Sequence, residues 1–590
     1  MPAPKPQPNP AAVAPATLVL GPYQAAIDQQ LREFTAQNFT ARFWQKDATL
    51  WTADTDAQHS IRSFMGWLRV AETLRAAVPE IRAFVTEIKA AGFRHVVVMG
   101  MGGSTMAPIV FKAAFPPGGA GLPLSVLDTT DPGTVRQLEA SLPLAETLFV
   151  VASKSGTTAE PLAFGDYFYD RVRQLKGERA GENFVAITDP GSQFVTSATA
   201  QGYRRIFLNF AEVGGRFSAL SYFGMVPAAL YGIDIETLLD RALAMMGACG
   251  ADGNPAGPGN PADSGNPGLT LGVALGVLAQ QGRDKLTLIT PPALADLGLW
   301  LEQLLAESTG KEGQGILPVA GEAPHEPAVY GPDRVFVYVG YQSQPAAETS
   351  AQRATLAAAG HPVIRIEMTD ALDLGAEFFR WEVATAVASA VLRINPFDQP
   401  NVQAAKTATD RLMREVEAQG QLPAGAPPTL TENGVAYYGQ EERSGASASA
   451  GARALLAAFL GSAGPGGFLN LQAYLTESPA LNQILDQLRE QVLTHYRLAT
   501  TAGYGPRFLH STGQYHKGGP NTGLFIQLMA DSAEDVPLPG RSYTFGTFLH
   551  AQAAGDLQAL REAGRRPLRI HLGADAAAGL RAVLAAVVRE

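Results

Sequence analysis

The feature that most constrains this chain is a series of short β-branched runs, several of them separated by stretches with helical spacing. They are HVVVMG (95–100), SVLDT (125–129), TLFVVAS (147–153), NFVAIT (183–188) and RRIFLN (204–209). Strands covered on both faces read as unbroken apolar runs, and strand–helix alternation builds a doubly wound sheet. A second series follows with KLTLIT (285–290), RVFVYV (334–339) and PVIRIEM (362–368), and FLNLQAY (468–474) and PLRIHL (567–572) read as further strands. Ahead of the first run, residues 22–90 space Leu68, Leu74, Ile81 and Phe84 as a helix does. The expected fold class is α/β: two doubly wound domains with mainly parallel sheets and flanking helices.

Turn formers divide the chain. GADGNPAGPGNPADSGNPG (250–268) reads as a loop or linker, and a second polar stretch covers about 419–452. The expected organisation is a disordered tail at 1–20, a helical segment at 21–90, a first domain at 91–250, and an expanded second domain at 269–590 carrying the polar insertion. A chain of 590 residues with 46% hydrophobic and 17% charged residues can bury large cores without metal or disulfide staples. The net charge of −10 offers no global cation excess, so no nucleic-acid partner is expected. A single cysteine, Cys249, excludes an intrachain disulfide framework and fits a reducing compartment. Residues 1–17 lack the apolar centre of a signal peptide, and no run of about twenty apolar residues occurs, so a cytoplasmic protein without membrane partners is expected.

Six segments carry candidate chemistry. GMGGST (100–105) follows a strand, and Gly103 and Ser104 sit where backbone can approach an anion at a helix start. It lacks the dinucleotide and Walker spacings, and a tight strand-to-helix turn explains it equally well. SKSGTTAE (153–160) offers Ser153, Ser155 and Thr158 as hydroxyl donors and Lys154 as a charge, which suits a phosphomonoester. A capping box from Thr157 to Glu160 is the plainer reading. GGRFSALS (214–221) presents Arg216, able to stabilise an anionic intermediate. In WLEQLLAESTGKEGQG (300–315), Gln303 and Glu307 share a helix face, and Glu307 is a candidate general base, or else a surface ion-pair partner of Lys311. NPFDQPNVQAAK (395–406) places Gln399 and Lys406 two turns apart if a helix continues. FLHSTGQYHKGG (508–519) holds His510 and His516, candidate proton shuttles. No His/Cys grid with metal-ligand spacing accompanies them, so neither metal nor cofactor is expected.

Taken in order, these segments resemble the phosphoglucose isomerase family, built from two sugar-isomerase (SIS) domains. GMGGSTMAP (100–108) looks like its GxGGSxLGP loop, SKSGTTAE its SKxxTTxE loop, and GGRFS its GGRxS segment. ESTGKEGQG (307–315) resembles its ESxGK motif, and INPFDQPNVQAAK (394–406) its INPFDQPGVExxK pattern. The resemblance covers about 90–410 and is closest to the isomerase half of bacterial transaldolase–isomerase fusions, although no transaldolase barrel fits ahead of residue 90. One departure is the histidine. The family places it between ESxGK and FDQ, where this chain has only His325 and His361, neither in the family's context. LHSTGQY (509–515) resembles the family's LHSxGQ segment but follows the FDQ motif, as if the second domain were permuted.

The resemblance implies a cofactor-free isomerase that interconverts glucose 6-phosphate and fructose 6-phosphate in glycolysis and gluconeogenesis. Gly103, Ser104, Ser153, Lys154, Ser155 and Thr158 would hold the phosphate, and Gln303 and Gln399 the sugar hydroxyls. His510, with Lys406 and with His516 as the fallback, would open the ring. Glu307 would move the proton between C1 and C2, and Arg216 would offset the enediolate charge. Two alternatives use the same loops: an isomerase that also accepts mannose 6-phosphate, and a non-catalytic sugar-phosphate sensor, which would need no Glu307, Arg216 or Lys406. Relatives are usually homodimers, so a homodimer is expected, with His510 free to act in trans.

Overall fold

A computed structural model describes residues 13, 16–116, 121–250, 265–343, 350–423, 425–439, 451–532 and 534–588. Strand β1 is Ala16–Val19; β2 to β6 are His95–Gly100, Leu124–Leu127, Thr147–Ala152, Phe184–Thr188 and Arg205–Leu208. Strands β7 to β10 are Lys285–Ile289, Leu317–Val319, Arg334–Tyr341 and Val363–Met368. Strands β11 to β16 are Leu430–Glu432, Val435–Tyr438, Phe468–Tyr474, Ala499–Tyr504, Gly523–Met529 and Arg566–His571.

The first sheet has the order β3-β2-β4-β5-β6 and every pairing in it is parallel. Every residue of TLFVVA in β4 is buried, as its unbroken apolar run requires. The order reverses between β2 and β4, so the loops that leave these two strands diverge and open a crevice at their carboxyl ends. Those loops are GMGGST and SKSGTT. The second sheet has the order β1-β10-β9-β7-β8, parallel except for β1. Strand β1 falls inside the stretch expected as a tail: Ala16–Val19 pairs antiparallel with β10 from Val19↔Val363 to Ala16↔Ile366. An open edge beside the apolar PVIRIEM run gives even a four-residue segment a template. Residues 1–12 and 14–15 of the expected tail lie outside the described residues.

One core joins the two sheets. Helix Leu374–Leu392 is buried on every side and lies against helix Pro267–Gln280. The contact is close because the second helix turns glycines toward it: a Cβ on Gly272 would sit 2.5 Å from the Ala384 carbonyl oxygen. Helix Pro267–Gln280 begins within the expected linker. Asn266 accepts from the Leu269 N–H at 2.9 Å and Pro267 fills the first position, an ordinary helix start. Linker residues 251–264 lie outside the described residues.

The region expected as one expanded domain at 269–590 contains a third sheet, in the order β11-β12-β16-β15-β13-β14. Strands β13 to β16 are parallel, and β11 and β12 form an antiparallel hairpin on one edge. The hairpin occupies part of the expected polar insertion, because Asn433 and Gly434 both adopt positive φ and reverse the chain. Residues 424 and 440–450 of that insertion lie outside the described residues. This third unit has its own apolar core around Leu469, Leu471, Leu524 and Ile570. Its loop after β14 is fastened to the first unit. Arg507 donates to Asp128 at 2.6 and 2.9 Å, and Thr129 donates to the Gly505 carbonyl at 3.1 Å. Among the described residues no helix is long and apolar enough to cross a membrane.

Candidate active site

The loops after β2 and β4, the π-helical turn Glu302–Glu307, the segment after helix Leu374–Leu392 and the loop after β14 enclose a cavity of about 640 Å³. Twelve candidate residues line it. Gly103, Ser104, Ser153, Lys154, Ser155 and Thr158 form one wall. Arg216, Gln303, Glu307, Gln399, Lys406 and His510 form the others. A smaller cavity of about 310 Å³ adjoins it behind Lys406 and His510.

The two hydroxyl-rich loops pack tightly against their surroundings. Gly103 meets the turn that carries Arg216 so closely that a Cβ there would lie 1.8 Å from the Gly215 carbonyl oxygen. Gly156 has φ +68°, which turns the second loop back toward Ser192. The Ser153 hydroxyl is buried without a hydrogen-bond partner among the described residues. Ser155 bonds Thr157 at 2.9 Å. The helix that follows is capped at Thr158 without a side-chain bond, so the expected capping box from Thr157 to Glu160 does not form. Lys154 differs from expectation in its partners: its ammonium pairs with Asp189 and donates to the Ala211 carbonyl at 3.0 Å. Lys154 thus brings no unpaired charge to the cavity wall.

Arg216 is 4% exposed and holds the opposite wall together. It donates to Ser308 at 2.9 Å, to Gln399 at 3.1 Å, and to the carbonyls of Pro396 and Asp398 at 2.6 and 2.8 Å. Its Nη1 also stands 3.2 Å from Glu307 Oε1. Burial pulls the guanidinium below its ordinary value, while Glu307 and Asp398 pull it back up. Glu307 ends the π-helical turn, a local widening that sequence periodicity does not register. Its second oxygen accepts from Gln303 at 3.2 Å, across the shared face expected from their spacing. The expected surface pair of Glu307 with Lys311 gives way to two pairs whose cations are buried, Glu307 with Arg216 and Lys311 with Asp398 at 2.7 Å. Burial, then the charge of Arg216, lowers Lys311 to about 7. Gln399 precedes helix Gln403–Gln419 and is not on it, so Gln399 and Lys406 share the cavity without sharing a helix.

His510 enters from the loop after β14. Gln303 donates to its carbonyl at 2.9 Å, and its Nε2 lies 2.8 Å from Glu160 Oε1. Burial pushes the Glu160 carboxyl up, but the charge and hydrogen bond of His510 outweigh it and hold it below the ordinary carboxylate value. Sequence reading placed Glu160 only as a cap residue. Its partner lies 350 positions away, a distance no local pattern can bridge. His516, the fallback, is corrected: it is 1% exposed, both ring nitrogens are unpartnered among the described residues, and it packs against Phe525 and Phe508. Burial first, then Lys517 and Arg565, drives its value well below that of an ordinary histidine. It is absent from the lining of both cavities. His325 and His361 lie outside both linings as well. Among the described residues no group of three or more His, Cys, Asp or Glu is placed to hold a metal ion.

Residues 69–248 match the family model described as phosphoglucose isomerase. A glucose-6-phosphate isomerase of Rubrobacter xylanophilus is 30% identical over 396 residues, which are 59% of this chain and 88% of that protein. One from Parasynechococcus marenigrum is 28% identical over 64% of this chain and 77% of its own length. Among solved structures, a hypothetical protein from Thermus thermophilus superposes with a TM-score of 0.55 at 23% identity, covering 67% of this chain and 99% of its own. The family match and these relatives place the chain among the isomerases. Within that class, the chain belongs to the phosphoglucose isomerase family.

Proposed function

We propose that this chain is an aldose–ketose isomerase that interconverts glucose 6-phosphate and fructose 6-phosphate through a cis-enediolate. The observation that carries this reading is the placement of a carboxylate held by a buried arginine and a histidine held by a buried carboxylate on one cavity, opposite two hydroxyl-rich loops. The loops hold the phosphate, and that remote contact fixes the reacting carbons beside Glu307. His510, with Glu160 behind it, exchanges protons with the ring oxygen and the anomeric hydroxyl so that the sugar opens, and Lys406 stands beside it. Glu307 removes the proton from C2 or C1 and returns it to the other carbon. Arg216 offsets the negative charge that develops on the enediolate oxygens. Gln303 and Gln399 hydrogen-bond the sugar hydroxyls. A cytoplasmic, glycolytic or gluconeogenic setting belongs to this proposal.

The test is turnover of fructose 6-phosphate, followed by NADP-linked detection of glucose 6-phosphate. His510→Ala is expected to lose about a hundredfold in kcat with the cyclic sugar. It is expected to keep most of its activity on 5-deoxyfructose 6-phosphate, which has the full chain length but cannot close a ring. Wild-type protein that binds the sugar phosphate tightly but does not turn it over would be a sensor, and the isomerase reading would fail. His510 reaches the cavity within its own chain. Mixing Glu307→Gln and His510→Ala chains is therefore expected to restore no activity. Recovery toward a quarter of the wild-type rate would mean that the histidine acts across a subunit boundary.

A further inference from the structure

The Glu160 carboxylate that faces His510 has a second donor. Gln552, on helix Phe545–Glu562 of the third unit, donates from Nε2 to Glu160 Oε1 at 2.7 Å. The other end of the same amide accepts from the Thr130 hydroxyl at 2.7 Å, in the loop after β3. Thr130, Glu160 and Gln552 are 0%, 6% and 3% exposed, so water does not compete for these bonds. The chain of donors has one direction. Thr130 occupies the amide oxygen and so aims the amide N–H at Glu160. Gln552 then occupies one lone pair of Oε1 and leaves another to His510 Nε2. With Nε2 donating, Nδ1 is the nitrogen that carries the free lone pair.

We propose that Gln552, with Thr130 behind it, is a positioning residue that fixes the Glu160 carboxylate and through it the ring of His510 for proton transfer in sugar ring opening. This rests on the isomerase reading above and extends it to two residues outside the motifs. A carboxylate with two free rotamers would let the imidazole turn away from the substrate, whereas one clamped by a buried amide does not. The other charged groups that face the pair are Lys406 and Asp410 on helix Gln403–Gln419, Lys517 paired with Asp556 at 2.5 Å, and Glu307 across the main cavity. None of them bonds Glu160 among the described residues.

The test uses Gln552→Met, Thr130→Val and Thr130→Ser in the full chain. Gln552→Met is expected to lower kcat with fructose 6-phosphate about ten- to a hundredfold while KM changes less than twofold. Turnover of 5-deoxyfructose 6-phosphate, which has the full chain length but cannot close a ring, is expected to stay near that of the wild type. Losing the amide donor frees the Glu160 carboxylate to turn, so the imidazole nitrogen NMR signals of His510 are expected to change from a single Nε2–H tautomer to a mixture. Thr130→Val should repeat these shifts more weakly, and Thr130→Ser should restore the wild-type behaviour. Unchanged kcat and an unchanged His510 tautomer in Gln552→Met would overturn the proposal. If Gln552→Met does not fold, equal behaviour of Thr130→Val and Thr130→Ser overturns it instead. If the wild type shows no isomerase activity, the isomerase reading falls and the His510 tautomer alone decides the positioning role.

Discussion

Glu307→Gln is expected to leave a folded protein that binds fructose 6-phosphate and turns it over on the order of 10² to 10⁴ times more slowly, the range typical of losing a positioned general base. The variant keeps the size of the side chain, but its single amide oxygen cannot accept from both Arg216 and Gln303 and it carries no charge, so the thermal midpoint should fall, though by less than in an Arg216 variant because four other acceptors still hold the guanidinium. What it loses is the lone pair that takes the C2 proton. Two readouts separate base loss from misfolding. KM should stay within a few-fold of the wild type, and exchange of the C2 hydrogen with solvent should stop together with turnover. A rate within tenfold of wild type would remove Glu307 from the chemistry and move the base to another wall of the cavity.

Arg216→Met is expected to fail in two ways at once. Arg216 ties Ser308, Glu307, Gln399 and the Pro396 and Asp398 carbonyls into a single wall. Removing one partner of a buried ion pair leaves the other charge uncompensated, at a cost of about 3–5 kcal/mol. A clear fall in thermal midpoint should therefore accompany the substitution. Activity should fall by a factor of about 10² or more, because the enediolate loses a preorganised cation. Arg216→Lys tests the second effect apart from part of the first: it keeps the charge but cannot reach five acceptors from one planar group. A lysine variant with near wild-type kcat would show that charge alone suffices. A stable Met variant with full activity would refute both roles.

Much of this site was legible before the fold because its residues sit in local signals. Gly103 and Ser104 follow one strand, Ser153 to Thr158 follow another, and Gln303 and Glu307 are spaced for one helix face. The structure brings all of these to one cavity. The first two sheets were legible for the same reason, since their longer strands are unbroken apolar runs. The misses share a physical cause. Strand β1 is four residues long and exists through pairing with β10, which local pattern does not encode. Strand β14, ATTAGY, carries too little apolar character to stand out beside the helices around it. Strand β15, GLFIQLM, is the exception, a fully buried run that the reading passes over; without these two strands the third sheet merged into the second domain, and the loop carrying His510 had no visible address. Glu160 reads only as the far end of a capping box and Gln552 stands in no motif, because their meaning lies in contacts 350 and 392 positions apart. His516 shows the reverse error: a histidine beside a motif whose ring belongs to the apolar interior.

That long separation has a consequence for how the protein comes into being. The chain is made from its N-terminus, and domains generally fold as units in that order. Both hydroxyl-rich loops, Arg216 and Glu307 are synthesised before His510, which belongs to a sheet that cannot pair fully until β15 and β16 have been translated. On the proposed function, the groups that would hold the phosphate are therefore made before the one that would open the ring. The Glu160–His510 bond closes a loop of 350 positions, and loop-closing contacts of this span are made late. On the proposed function, the ring-opening histidine is the last of the site residues to reach the cavity, when the C-terminal sheet has docked.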